Sequence, residues 1–192
     1  MVLLGNLHVP EPPESSSLVN DSLLQQVAKG NQEAFKQLYQ QTDRTVYSFI
    51  LSILKNPHDA EEVMQETYMK VWTSAASYQA QGKPLAWIFT IARNLCYMKF
   101  REQKHRADVG FEELEGTETG EVCPQIEQAA DKLVLKAALE LLKEEERQIV
   151  LLKNSSGLKH REIADALNMP LATVLSKYNR AMKKLEQYLR EE

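Results

Sequence analysis

Thr173, Ser176, Asn179, Arg180, Lys183 and Gln187 follow one another at short intervals near the end of the chain. At about 100° per residue they share one side of a helix. Hydroxyl, amide and cationic side chains gathered in this way can donate to phosphates and reach the edges of bases. Val174, Tyr178, Ala181, Leu185 and Leu189 form the opposite, apolar stripe. Any amphipathic surface helix has two such faces, so the residues before it carry the distinction. Ile163, Ala164 and Leu167 supply the packing side of an earlier helix, and Asn168-Met169-Pro170 breaks the chain between the two. Gly157 to Leu189 therefore reads as a helix, a turn of about three residues and a second helix, the pattern of a helix-turn-helix DNA reader. The local charge agrees: from Gly157 to Arg190 there are seven Lys or Arg against three acids, in a chain of net charge −4.

A second constellation follows Gly82-Lys83-Pro84. The spacing predicts a helix with Trp87, Ile91, Leu95 and Met98 on its buried side. Phe89, Arg93, Tyr97, Phe100 and Lys104 then fall together on the far side. Aromatic rings stack on unpaired bases while cations follow the phosphates, which is the chemistry of holding a separated DNA strand. The alternative is that Phe89 and Phe100 pack against a neighbouring helix, and periodicity leaves both open.

The elements that would position these groups are helical. Met1 to Asn20, with Pro10, Pro12, Pro13 and Ser15 to Ser17, reads as a disordered tail. Leu23, Leu24 and Val27 start a helix that ends near Lys29-Gly30-Asn31, and Phe35, Leu38, Tyr39, Val46, Phe49, Ile50 and Ile53 continue at helical spacing to about Leu54. At Asn56-Pro57 a capping side chain precedes a proline at the first helical position. In the helix that follows, Ala60, Met64, Thr67, Tyr68 and Val71 face inward, leaving Asp59, Glu62, Glu66 and Lys70 outside. That outer face would by itself be ordinary solvated surface.

Charge is sorted along the chain. Residues 93 to 106 carry five positive charges and one negative, residues 107 to 131 carry eight acids and no Lys or Arg, and residues 132 to 192 carry twelve bases and nine acids. Two basic bodies are joined by an acidic strap, rich in glycine and poor in periodic apolar residues. The strap is either a solvated linker or a nucleic-acid mimic for a basic channel on a partner.

Several classes are disfavoured. No apolar run reaches the roughly 18 residues that span a bilayer, and the N-terminus lacks a signal-peptide pattern, so a cytoplasmic protein is expected. Cys96 and Cys123 are far apart and read as free thiols. His8, His58, His105 and His160 are scattered, and there is no Gly-rich phosphate loop, so neither an enzyme nor a metal or other cofactor is expected. No apolar helix is left over for a dimer seam, which favours a monomer over a dimeric repressor or activator.

With these residues in view, the chain resembles the bacterial sigma factors of the extracytoplasmic-function group from about Asp21 to Tyr188. DAEEVMQETYMKVW (Asp59 to Trp72) is similar to the polymerase-binding helix of that family, PLAWIFTIARNLCYMKFR (Pro84 to Arg101) to its promoter-melting helix, and EIADALNMPLATV with SKYNRAMKKL to its C-terminal helix-turn-helix. The resemblance implies an all-α chain: tail 1–20, a region 2-like domain 21–106, an acidic linker 107–131 and a region 4-like domain 132–192. It implies docking on the clamp helices of core RNA polymerase through Asp59, Glu62, Gln65 and Glu66. A flipped base of the minus-ten element would be captured by the loop from Ser74 to Lys83, and the strands held apart by Arg93, Asn94, Tyr97, Lys99, Phe100 and Arg101. The minus-thirty-five element would be read in duplex form by Ser176, Asn179, Arg180 and Lys183, with Thr173 near the helix start. Restraint by an anti-sigma factor is also implied, as is a strap lying along the RNA exit path. The chain departs from the family at Met98, often an acid, at Lys143, often a proline, and at Leu175, often a base.

Overall fold

The computed structural model of the chain describes residues 19–108 and 137–191. Among these residues the regular structure is helical: α1 (Asp21–Ala28), α2 (Gln32–Leu54), α3 (Pro57–Ser74), a 3₁₀ turn (Ala75–Ser77), α4 (Pro84–Asp108), α5 (Glu144–Asn154), α6 (His160–Leu167) and α7 (Leu171–Glu191). No helix among them is long and apolar enough to cross a membrane. The first two residues of the strap expected over 107–131 belong to the end of α4, and residues 1–18, 109–136 and 192 lie outside the described residues.

Asparagine sets three of the helix starts. The Asn20 side chain accepts from the Leu23 N–H at 2.8 Å, Asn31 from Glu33 and Ala34 at 3.0 and 3.1 Å, and Asn56 from Asp59 at 3.2 Å. Each satisfies an amide that the first turn leaves without a carbonyl. Two residues expected in the disordered tail, Val19 and Asn20, belong to the folded part. Val19 is fully buried and Asn20 is the cap of α1, because a helix whose Leu23, Leu24 and Val27 are buried also encloses the residue that leads into it.

Most of the inward residues expected on α2 and α3 are where the spacing puts them, but Phe35 and Met64 are half-buried and Tyr39 is exposed, its ring lying 4.7 Å from that of Tyr68. Leu38, Val46, Phe49, Ile50 and Ile53 are buried on α2, as are Ala60, Thr67, Tyr68 and Val71 on α3. Two buried hydroxyls satisfy each other, Thr42 and Tyr68 at 2.7 Å. Burial of the Tyr68 ring, only partly offset by that bond, raises its pKa far above the usual tyrosine value.

The N-terminal helices and the helix-turn-helix do not stand apart. α5 packs on α2 and α6 packs on α4. One apolar cluster runs from Leu24, Phe49 and Phe89 through Ile149 and Leu152 to Ile163, Leu167 and Val174. Polar links cross the same seam: the Lys83 ammonium meets Asp165 of α6 at 2.7 Å, and Arg147 of α5, which also donates to the Leu139 and Leu142 carbonyls, reaches the Ser52 carbonyl at 3.5 Å.

Candidate nucleic-acid and polymerase interface

α6 and α7 are joined by a three-residue turn. Asn168 adopts the left-handed conformation at φ 50°, so the break expected at Asn168-Met169-Pro170 lies where the sequence puts it. At the start of α6 the Glu162 carboxylate accepts from the Lys159 N–H at 2.6 Å. Val174, Ala181 and Leu185 of α7 are buried, Tyr178 is half-buried, and Ser176, Asn179, Arg180 and Lys183 are exposed. Thr173 is half-buried at the edge of that face.

Two other lysines of α7 are occupied within the protein. Lys177 pairs with Glu145, and Lys184 with Glu146 at 2.7 Å. The Glu146 side chain is only 4% exposed. Burial pushes its carboxyl up, but the Lys184 ammonium, the Lys143 amide and the nearby Arg180 charge outweigh that and hold it below its ordinary value. These pairs fix α7 against α5 and so fix the direction of its outer face.

α4 departs from the expected phase. Its buried side is Leu85, Ala86, Ile88, Phe89, Ala92 and Cys96, while Trp87, Ile91 and Leu95 are half-buried and Met98 is 49% exposed. Phe89, for which the spacing left strand stacking and helix packing both open, takes the second: it is fully buried and meets Phe49 edge to face at 5.1 Å. The physical reason is that α4 packs on α2, α3 and α6 together, so apolar residues around much of its circumference are inward and no single stripe marks the core. Burial lifts the Cys96 thiol to about 12, as suits an inert core thiol. Cys123 lies outside the described residues.

On the open side of α4 lie Asn94, Phe100 and Arg101, all exposed, with Arg93 and Tyr97 half-buried beside them. The Arg93 guanidinium stacks over the Tyr97 ring at 4.8 Å, and Tyr97 and Phe100 are 6.4 Å apart. Aromatic and cationic groups therefore do interleave here, built from Tyr97 and Phe100 without Phe89.

Lys99 is placed differently. It points to α3, 3.2 Å from Asp59 and in closer contact with Glu62. The Glu62 bond raises its pKa against the opposing effect of burial, and Asp59 adds to the rise. Asp59 also accepts from Gln103 at 2.9 Å and is 16% exposed, whereas Gln65 and Glu66 are open to solvent. Of the four acids and amides expected to meet polymerase, two are thus bound to the helix expected to meet DNA. Met69, 67% exposed on the same side of α3 as Gln65 and Glu66, was not singled out by the sequence.

The loop between α3 and α4 is held by a residue that reads in the sequence only as a helix start. Asp21 accepts from the Tyr78 hydroxyl and from the Gly82 N–H, both at 2.8 Å, and the Lys83 N–H reaches the Tyr78 oxygen at 3.2 Å. Tyr78 also packs on Trp87 at 5.3 Å. Gly82, at φ 70°, takes a backbone conformation that favours glycine.

Comparison with known proteins decides the family. The Sigma-70 region 2 family model matches residues 38–106 and the Sigma-70 region 4 model matches residues 132–185. The ECF RNA polymerase sigma factor SigK of Mycolicibacterium vanbaalenii is 31% identical over 177 residues, covering 88% of each chain. This chain belongs to the extracytoplasmic-function sigma factors. SigK of Mycobacterium ulcerans is 29% identical over 186 residues, covering 93% of this chain and 97% of its own. Among solved structures, the sigma factor RpoE of Bartonella quintana, in complex with the anti-sigma factor NepR, matches with a TM-score of 0.66 and 26% identity over 81% of this sigma factor and 96% of that chain. CnrH, in complex with the cytosolic domain of CnrY, shares the fold at a TM-score of 0.62 and 21% identity, over 90% and 98% of the two chains. The protein is thus an alternative sigma factor, a partner of core RNA polymerase in promoter-specific initiation.

Proposed function

We propose a division of labour within this sigma factor. Residues 21–106 dock on core polymerase and handle the melted strand, residues 107–131 link, and residues 132–192 read duplex DNA. Gln65, Glu66 and the Asp59–Glu62 pair form the polymerase side of α3. Arg93, Asn94, Tyr97, Phe100 and Arg101 on the open side of α4 hold the separated strand, the loop from Ser74 to Lys83 receives a flipped base, and Lys99 joins them once polymerase draws Asp59 and Glu62 away. Ser176, Asn179, Arg180 and Lys183, with Thr173 at the edge, contact the upstream element. All of this is binding rather than catalysis, and it takes place in the cytoplasm, where polymerase and promoter are found.

The observation that carries this reading furthest is the seam between the two helical groups. Two promoter elements about 25 base pairs apart are separated by about 85 Å along the duplex. A compact body of this chain length is about 40 Å across. The chain as folded cannot reach both, so α5 and α6 must leave α2 and α4 when the holoenzyme binds its promoter. An anti-sigma factor that holds the seam closed would restrain the protein until an environmental or envelope stress releases it.

Energy transfer between dyes at Glu61→Cys and Asn154→Cys, in a chain with Cys96→Ala and Cys123→Ser, tests the opening. High transfer in the free chain and low transfer in the promoter-bound holoenzyme are expected. Equal transfer in both states would contradict it.

A further inference from the structure

The outer face of α7 contains two large apolar groups that neither charge nor core packing accounts for, Leu175 near its start and Met182, 37% exposed, two turns further on. Leu175 is 40% exposed, next in the chain to fully buried Val174 and about 100° around the helix from it. It therefore lies outside the buried stripe of Val174, Ala181 and Leu185. Its surface neighbours at three- and four-residue spacing are exposed Ala172 and exposed Asn179, with Ser176 beside them. All four lie within the first three turns of α7, the part of a reading helix that approaches base edges while later residues meet the backbone. The Lys177–Glu145 and Lys184–Glu146 pairs hold the opposite flank of the helix, so this face is presented by a fixed element.

In the major groove the base pairs present acceptors, donors and one apolar group, the C5-methyl of thymine. A branched aliphatic side chain gains nothing by facing a guanine or cytosine edge, whose polar atoms it would strip of water. Facing a thymine methyl, it removes apolar surface from water on both sides. Asn179, one turn further on, has the paired donor and acceptor that match the N6 and N7 of adenine. We propose that Leu175, with Ala172 beside it, reads the C5-methyl of a thymine in the duplex promoter element, so that promoter choice by this sigma factor includes an apolar contact. This rests on the assignment of α7 as the duplex reader.

Replacing thymine by deoxyuridine removes the methyl and leaves every hydrogen-bonding edge intact. The test uses holoenzyme reconstituted from the full chain and core polymerase, on a promoter fragment selected from a random library. Each thymine of the upstream element is changed to deoxyuridine in turn, on either strand. At one or two positions, binding by the unchanged chain falls about fourfold, the effect of losing one buried methyl. The Leu175→Ala holoenzyme binds the parent fragment correspondingly less well and is insensitive to the same change, while its thermal midpoint matches that of the unchanged chain.

The proposal is overturned if the selected element contains no thymine, if every deoxyuridine is neutral, or if the unchanged and Leu175→Ala chains lose affinity equally at the same position. Arg180→Ala separates the two levels. If it weakens promoter binding while every deoxyuridine is neutral, Leu175 faces something else, such as a protein partner, and α7 remains the reader. If Arg180→Ala is also silent, the assignment of α7 fails with it.

Discussion

α7 and α4 carry the two candidate DNA surfaces, and they are held in different ways. α7 buries one stripe and turns Ser176, Asn179, Arg180 and Lys183 to solvent, its Lys177 and Lys184 serving as struts to α5. α4 is packed on three neighbours; its Arg93 is stacked on Tyr97 and its Lys99 is occupied by Asp59 and Glu62. The proposed duplex-reading face is complete in the free chain. The proposed strand-holding surface is partly committed to internal partners and gains Lys99 only if something competes for the α3 acids. Reading before melting is the order of events that this asymmetry favours.

The largest test of the contrast concerns the two phenylalanines of α4. Phe89→Ala removes a fully buried ring that meets Phe49, and should lower unfolding free energy by about 3–5 kcal/mol in denaturant titration. Phe100→Ala, at a residue 36% exposed, should leave that midpoint nearly unchanged and reduce promoter opening by the holoenzyme. If both variants behaved alike, the phase of α4 would be wrong.

Arg180→Ala should weaken duplex promoter binding by about 1–3 kcal/mol if the guanidinium grips a base edge, with no change in thermal stability. Lys99→Ala should do less to DNA affinity and more to the fold. Removing the ammonium that Asp59 and Glu62 share, with Gln103 still on Asp59 and His58 beside Glu62, should cost about 1 kcal/mol of stability in the free chain. In the holoenzyme it should reduce the salt dependence of promoter binding by about one phosphate contact. A stability loss without any change in that slope would make Lys99 structural only.

The smallest effect is one of pH. His160 lies edge to face with Tyr178 at 4.9 Å, and burial, followed by repulsion from Lys153, lowers its pKa below 6.5. The unfolded chain then binds the proton more readily than the folded one, so stability falls as the pH drops below 6.5 and levels off below the folded value. His160→Gln should flatten the thermal midpoint between pH 7.5 and 5.5, readable by circular dichroism.

The same contrast explains what was legible in the sequence. α7 has one packed face, so its period of 3.6 separates core from surface, and Val174, Ala181 and Leu185 fall where that period puts them. Helix caps are local, and Asn56-Pro57 and Asn168 were readable for that reason. In α4 three packed neighbours erase the single stripe, so the helical period alone puts Phe89 on the far side and Met98 on the buried side, the reverse of where they lie. Asp21 was missed because its partners Tyr78 and Gly82 lie more than fifty residues away, and no local pattern encodes a contact of that range. Lys99 shows the same limit, since its charge is visible in the sequence but its commitment to Asp59 and Glu62 is tertiary.

Runoff transcription on a promoter library, with core polymerase alone, the chain alone and the two together, tests the sigma-factor reading most directly. Specific initiation is expected only with both, from sites that carry an upstream duplex element, and is expected to be lost with Arg180→Ala. Tight binding of the chain alone, as a dimer on a two-fold symmetric site, with no new start sites when polymerase is added, would contradict it.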